Sequence, residues 1–326
     1  MSSASHLDSA GNGVAASAPL SARPDQVELS LGSALQVHIL RVSQAFPDDE
    51  HSADEGKGPA GPLAPLLPLL ETESQQDVGR FRFLRDAKRC LLGRLARRFV
   101  ASERLGLPWP DIAFRKAARG RPELILARGA NPRFDFNVSH DNDLVAVASV
   151  AFPQETPMRV GVDIMRIKDP WEDTALDELI EGLAEHLSED ELLSLKAIED
   201  EQGRLERVLA LWTLKEAYVK ATGDGLHVDL KQIRLHFDSH APIAYCTSLS
   251  TAHALLHEKP ATGWRFLLQK LRLDDSPEGR ASYWVAVAVQ GSDGEGEILV
   301  GSDEQQYLNI TSLTLEDILR NARRAT

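Results

Sequence analysis

Cysteine is nearly absent: Cys90 and Cys246 are the only two in 326 residues. Two thiols build neither a disulfide framework nor a four-ligand zinc site, which points to a reducing compartment, the cytoplasm. Cys90 lies among arginines, where a spectator thiol is the plain reading. No apolar run approaches the ~20 residues of a membrane span, because Gly61–Leu70 is short and broken by three prolines. The first residues lack the apolar core of a signal peptide. Net positive charge is missing too: the formal charge is −13, which argues against a general nucleic-acid binder. There is no Walker loop, no GxGxxG opening a helix and no serine-hydrolase elbow. The HxxxD of acyltransferases fails because Leu144 follows His140 at the aspartate position.

What is present is an ordinary soluble balance, 43% apolar and 26% charged residues, in a chain long enough for two domains or two fused halves. Residues 1–25 are rich in Ser, Ala and Gly, lack periodicity and are expected to be a disordered tail. The charge is uneven. Arg80–Arg133 carries 15 Lys/Arg against 4 Asp/Glu, so the remainder is strongly acidic. That basic block is either an anion site or a solvated helix face.

Periodicity predicts helices over Phe81–Leu105, Asp173–His186, Ser188–Glu201 and Leu205–Thr222. Alternation predicts strands at Leu35–Val42, Phe134–Val138, Leu144–Val150, Val160–Ile167, Ile233–Phe237, Trp264–Leu273 and Ser282–Gln290. An amphipathic segment near Leu313–Leu319 is expected to dock as a helix. A weak repeat runs through both parts: helix, Gly106-Leu107 or Gly225-Leu226, then strands ending in LVAVASV or WVAVAV. It suggests an α+β fold of two similar halves, residues 26–158 and 159–326.

Four features carry candidate chemistry. Asp163 interrupts a mostly apolar strand, so its carboxylate needs an ion pair, a hydrogen bond or a metal. Trp212, Glu216 and Lys220 lie at i, i+4 and i+8 of one helix, on one face with Lys215 beside them; a surface salt bridge is the plain alternative. Ser139 and His140 stand in a polar turn at a strand end. Lys116–Pro122 (KAARGRP) places three cations before a proline.

In order along the chain, FRFLRDAK at Phe81–Lys88, Gly120-Arg121-Pro122, FNVSH at Phe136–His140, GVDIM at Gly161–Met165, and WTLKEAYVK at Trp212–Lys220 followed by GDGL resemble the phosphopantetheinyl transferase superfamily. The likeness is to its large two-half type and the broad-specificity eukaryotic branch. The resemblance implies two pseudo-symmetric α+β halves with coenzyme A in the cleft between them. It implies Mg²⁺ on Asp163 and Glu216, with Asp141 the candidate third ligand because Met165 stands where many bacterial members have glutamate. It implies nucleotide contacts from Lys116, Arg119, Arg121, Asn137, Ser139 and His140, and catalysis by Glu216 and Lys220. An arginine of the branch has Asp77 in its place, which would remove that contact or shift it to Arg80. The implied partners are apo carrier-protein domains of fatty acid, polyketide or peptide synthases or of the aminoadipate reductase. The implied state is a cytoplasmic monomer without nucleic-acid or membrane partners. A magnesium-independent acyltransferase and a catalytically silent binding module are the competing readings.

Overall fold

Each long apolar-striped segment of the chain has become one layer of a four-layer stack. The computed structural model describes residues 35–47, 63–125, 134–151, 158–168, 175–237, 243, 246–249, 253–277, 279–291 and 308–324. The expected tail, residues 1–25, lies outside them. In chain order come β1 (Leu35–Arg41), α1 (Val42–Ala45), α2 (Thr72–Gly79), α3 (Leu84–Leu105), β2 (Ala113–Lys116), β3 (Pro122–Ile125), β4 (Phe134–Asp141) and β5 (Leu144–Ala151). Then follow β6 (Arg159–Ile167), α4 (Leu176–Leu183), α5 (Glu189–Lys196), α6 (Glu201–Thr222), β7 (Ile233–Leu235), β8 (Cys246–Leu249), β9 (Ala254–Leu256) and β10 (Lys259–Pro260). The chain continues through β11 (Trp264–Ser276), β12 (Gly279–Gln290), β13 (Ile310–Ser312) and α7 (Leu315–Arg324).

Two four-stranded sheets organise these elements, in the orders β13-β1-β5-β4 and β6-β12-β11-β8. Each contains the same unit: a strand, a long helix and an antiparallel hairpin whose second strand pairs with the first strand of the unit. The two helices, α3 and α6, are both 22 residues long. Each stops at a glycine in the left-handed region, Gly106 at φ 62° and Gly223 at φ 76°, where a side chain would be strained. The repeat is therefore real in topology, and the counterpart of Gly106 is Gly223 rather than Gly225.

Strand alternation sorts the buried side chains into three cores. Phe134, Phe136, Val145 and Val147 pack under α3 with Leu91, Leu92 and Leu95. Trp284, Ala286 and Phe266 pack under α6 with Leu211, Leu214 and Ala217. The opposite faces of the sheets meet each other, through Val37, Ile39, Ala146, Val160, Val162, Val285 and Val287. Helices thus cover both outer faces, and the sheets share the middle.

The basic block does not form a solvated face along its length. Arg94 bonds Asp77, Ser74 and the Cys90 thiol. Arg97 bonds Glu71 and Ser74 and lies over Phe114. Arg98 bonds the carbonyls of Leu69 and Ile112 and lies over Trp109. These arginines satisfy polar groups of α2 and the loops around it. Burial pushes the Arg97 guanidinium down to about 10, aided by Arg94 and opposed by Glu71. Arg80, Arg82 and Arg85 remain exposed.

After β12 the chain returns to the first sheet. β13 pairs in parallel with β1, Val37 opposite Ile310, and α7 sets Ile318 and Ala322 into the core under α3. Leu308 N–H also donates to Gln269 Oε1 on β11 at 2.9 Å. Residues 308–324, grouped on sequence with the second half, thus complete the first.

Candidate active site

The candidate site follows from how β4 meets β6. These are edge strands of different sheets, and no main-chain ladder joins them. Instead, alternate side chains of β4 accept from the outward N–H groups of β6. Asp135 Oδ2 accepts from Val160 N–H at 2.8 Å, Asn137 Oδ1 from Val162 N–H at 3.0 Å and Asp141 Oδ2 from Arg166 N–H at 2.6 Å. Ser139 occupies the same row, but its hydroxyl donates to Asp163 Oδ1 at 2.8 Å. A polar row at the edge of a buried strand is thereby satisfied without closing the sheets into one.

β4 runs three residues further than its alternation suggested. Ser139, His140 and Asp141 are strand residues paired with Ala146, Val145 and Leu144. The turn is Asn142-Asp143 alone, with Asn142 at φ 47° in the left-handed region that Asn tolerates in two-residue hairpins. This extension aims Ser139 at β6 and His140 to the opposite side, toward α3.

Gly161 sets the distance between β6 and α6. A Cβ there would lie 2.0 Å from the Ala217 carbonyl oxygen and 2.4 Å from Ala221 N. Only glycine lets the helix backbone lie directly on the strand. The close approach brings the Glu216–Lys220 stripe over Asp163, two residues along the same strand face. Lys220 Nζ donates to Asp163 Oδ1 at 2.5 Å and to Ser139 Oγ at 2.9 Å.

Glu216 is half-buried, and none of the described residues donates a hydrogen bond to its carboxylate. Its carboxyl is held above the usual range, first by desolvation and then by the charge of Asp163; Lys220 and His186 oppose the rise. Two carboxylates that repel across a partly buried gap suit a hard divalent cation, which takes oxygen ligands and fills its remaining positions with water. The donor set therefore fits magnesium. Asp141 does not join the pair: its oxygens are taken by Arg166 N–H and by the Asn142 side chain. Among the described residues, no group of three or more acidic, His or Cys side chains converges. Met165 packs against the core under α6.

His140 sits on the exposed rim, and its imidazole is held below the ordinary value by desolvation, then by the cations of Arg89 and Lys220. Arg89, which the motif pattern did not single out, reaches the rim by donating to Asn142 O at 2.6 Å. Lys215, neighbour of Glu216, is turned away from the cleft. Its ammonium is fully buried and donates to Glu191 Oε2 and to the carbonyls of His186 and Leu230. Desolvation lowers its pKa, against the pull of Glu191.

At the other end of the cleft a cavity of about 510 Å³ is lined by Arg115, Lys116, Arg121, Arg159, Thr222 and Gly223, among others. Arg159, at the first position of β6, carried no motif signal and became visible only through the fold. Lys116 is half-exposed and pairs with Asp77 at 2.9 Å and Glu73 at 3.2 Å. Asp77 also holds Arg80 and Arg94, and its carboxyl is lowered chiefly by the Lys116 hydrogen bond. Arg119 lies at the rim, paired with Asp224. Arg121 is buried on Asp135, and Asn137 is committed to β6.

Known proteins resemble this chain over both halves. Residues 62–152 match the family described as 4'-phosphopantetheinyl transferase, N-terminal, and residues 159–288 match the 4'-phosphopantetheinyl transferase superfamily. The L-aminoadipate-semialdehyde dehydrogenase-phosphopantetheinyl transferase of Homo sapiens is 28% identical over 260 residues, 78% of this chain and 78% of its own length. A phosphopantetheinyl transferase of Thraustochytrium is 29% identical over 269 residues, 81% of this chain and 82% of its own. A 4'-phosphopantetheinyl transferase of Bacillus pumilus is 34% identical over 173 residues, 52% of this chain and 66% of its own.

Proposed function

The chain belongs to the 4'-phosphopantetheinyl transferase superfamily, and we propose that its cleft transfers the phosphopantetheine arm of coenzyme A to a serine of an apo carrier protein with the help of magnesium. The observation that carries this reading is the convergence of Asp163, Glu216 and Lys220 where β6 and α6 touch. A serine hydroxyl attacks the pantetheine-side phosphorus, its proton leaves, and the bond to the departing 3',5'-ADP breaks. Such chemistry needs positioning and charge neutralisation more than a covalent partner.

Asp163 and Glu216 would hold Mg²⁺, which when bound offsets charge on the diphosphate. Lys220, one turn beyond Glu216, brings an ammonium to the same place and can exchange its bond to Asp163 for one to a phosphate oxygen. Glu216, its proton affinity raised by burial, is the group proposed to take the serine proton. Ser139 orients Asp163 through its hydroxyl, and His140 offers a ring N–H from the rim to the 3'-phosphate. The cavity at Lys116 and Arg159, with Arg119 at its mouth, supplies cations for the nucleotide end. Both sides of the cleft come from one chain, which supports a monomer, and the cysteine content supports the cytoplasm. No helix among the described residues is long and apolar enough to cross a membrane. The carriers proposed are those of fatty acid, polyketide or peptide synthases and of an aminoadipate reductase.

The deciding experiment incubates the protein with an apo carrier, coenzyme A and Mg²⁺ and weighs the carrier. A gain of one phosphopantetheine, lost when the metal is chelated, is expected. A carrier of unchanged mass would overturn the proposal, and phosphopantetheine transfer that survives chelation would overturn the role given to the metal.

A further inference from the structure

Arg121 lines the proposed nucleotide cavity, yet its guanidinium is held in a buried network. Arg121 is 8% exposed. Nη1 and Nη2 form a bidentate pair with Asp135, at 2.9 and 2.7 Å. Nη2 also reaches the carbonyls of Phe136 at 3.3 Å and Val160 at 3.1 Å, and Nε donates to the Lys220 carbonyl at 3.2 Å. A guanidinium has five N–H donors and no more, and these contacts engage all three nitrogens. Asp135 is equally committed, since its Oδ2 also accepts from Val160 N–H.

We infer that Arg121 is a positioning residue that clamps the last turn of α6, and Lys220 with it, onto β4 and β6. The Lys220 carbonyl is one of the end-of-helix acceptors that have no partner within the helix, and a cation there also complements the helix dipole. The side chain's stem packs beside Gly223, where an added Cβ would lie 3.0 Å from Arg121 Cδ. One side chain therefore joins the loop before β3, an edge strand of each sheet and the helix that carries Glu216 and Lys220. A phosphate could recruit this guanidinium only by stripping a buried carboxylate of its counter-ion, which is unfavourable. The inference rests on the proposed reaction only where turnover is read.

The test compares Arg121→Lys and Asp135→Asn with Lys116→Ala in the full chain. Calorimetry gives the affinity and stoichiometry for coenzyme A, and carrier loading gives kcat and KM. Arg121→Lys is expected to lower kcat about tenfold to hundredfold, with one coenzyme A still bound per chain at an affinity within about twofold. Lys116→Ala is expected to weaken coenzyme A binding. In a Lys220→Ala background, Arg121→Lys is expected to lower kcat no further, because both act through one group. General destabilisation would lower it in either background. Amide hydrogen exchange over residues 219–223 is expected to quicken in Arg121→Lys, whether or not the protein loads any carrier. That readout separates failure of this inference from failure of the proposed reaction. Should Arg121→Lys not fold, Asp135→Asn, nearly equal in volume to the wild type, carries the same comparisons. A tenfold loss of coenzyme A affinity with kcat retained, or unchanged exchange at the end of α6, would overturn the inference.

Discussion

Replacing Gly161 with alanine tests whether the strand-on-helix contact sets the catalytic geometry. The added Cβ would sit 2.0 Å from Ala217 O, 2.4 Å from Ala221 N and 2.9 Å from Ala221 Cα. All three are backbone atoms of α6, so no side-chain rotation relieves the overlap. An ordinary carbon–oxygen contact is longer by roughly 1 Å, and the helix must retreat by about that much. Overpacking of this kind costs about 1–3 kcal/mol, occasionally more. The same retreat stretches the 2.5 Å bond from Lys220 to Asp163 to the outer limit of a hydrogen bond and carries Glu216 away with it. A misplacement of ~1 Å among reacting groups costs about 10²-fold in rate. Chemical denaturation and carrier-loading kinetics measure the two effects, and Gly182→Ala is the control. Gly182 lies on exposed α4, and a methyl group added there would meet nothing within 4 Å, so alanine should leave turnover unchanged and stabilise slightly. If Gly161→Ala loads carrier within twofold of wild type and loses less than ~0.5 kcal/mol, the reasoning fails.

Glu216→Gln is expected to abolish loading while coenzyme A still binds measurably by calorimetry; near-normal turnover would refute the role given to Glu216. Lys215→Met should destabilise by about 3–5 kcal/mol, because it leaves Glu191 charged and buried without its counter-ion; a urea-unfolding loss below ~1 kcal/mol would show the pair to be dispensable. His38 is pushed down to about 4, by burial and then by Arg104, and its Nδ1 has no hydrogen-bond partner. Below its unfolded value of ~6.5 the unfolded chain binds the proton and the folded chain does not. The stabilisation from keeping this ring neutral is thus complete above pH ~6.5 and declines toward pH ~4, by about 1–2 kcal/mol after allowance for partial exposure. His38→Phe should flatten that stretch of the stability-against-pH curve, and an unchanged slope would assign the dependence to other groups.

The long helices and most strands were legible because their apolar periodicity is strong and their caps are ordinary. Ser188 does close a capping box with Glu191, and Asp200 caps α6. The Asp163, Glu216 and Lys220 cluster was legible from motif order, but not the reason the three meet, which is a missing Cβ at Gly161. Alternation could not show that β4 continues through Asp141, because its polar residues serve a neighbouring strand edge rather than solvent. Nor could local sequence separate Lys116 from Arg121: both are cations of one loop, and Asp135, 14 residues on in the chain, decides which of them is buried. The arginines of α3 were ambiguous for the same reason. Their acceptors, such as Glu71, Ser74 and Ile112 O, come from segments with no periodic link to the helix.

A duplicated unit of this kind has two lateral gaps related by the internal symmetry, one beside β4 and β6 and the other beside β1 and β11. The return of residues 308–312 fills the second with a strand that hydrogen-bonds β1 and meets Gln269 of β11. Among the described residues, the first is crossed by side chains alone. The asymmetry between the two gaps lies in a short stretch of backbone rather than in the halves themselves.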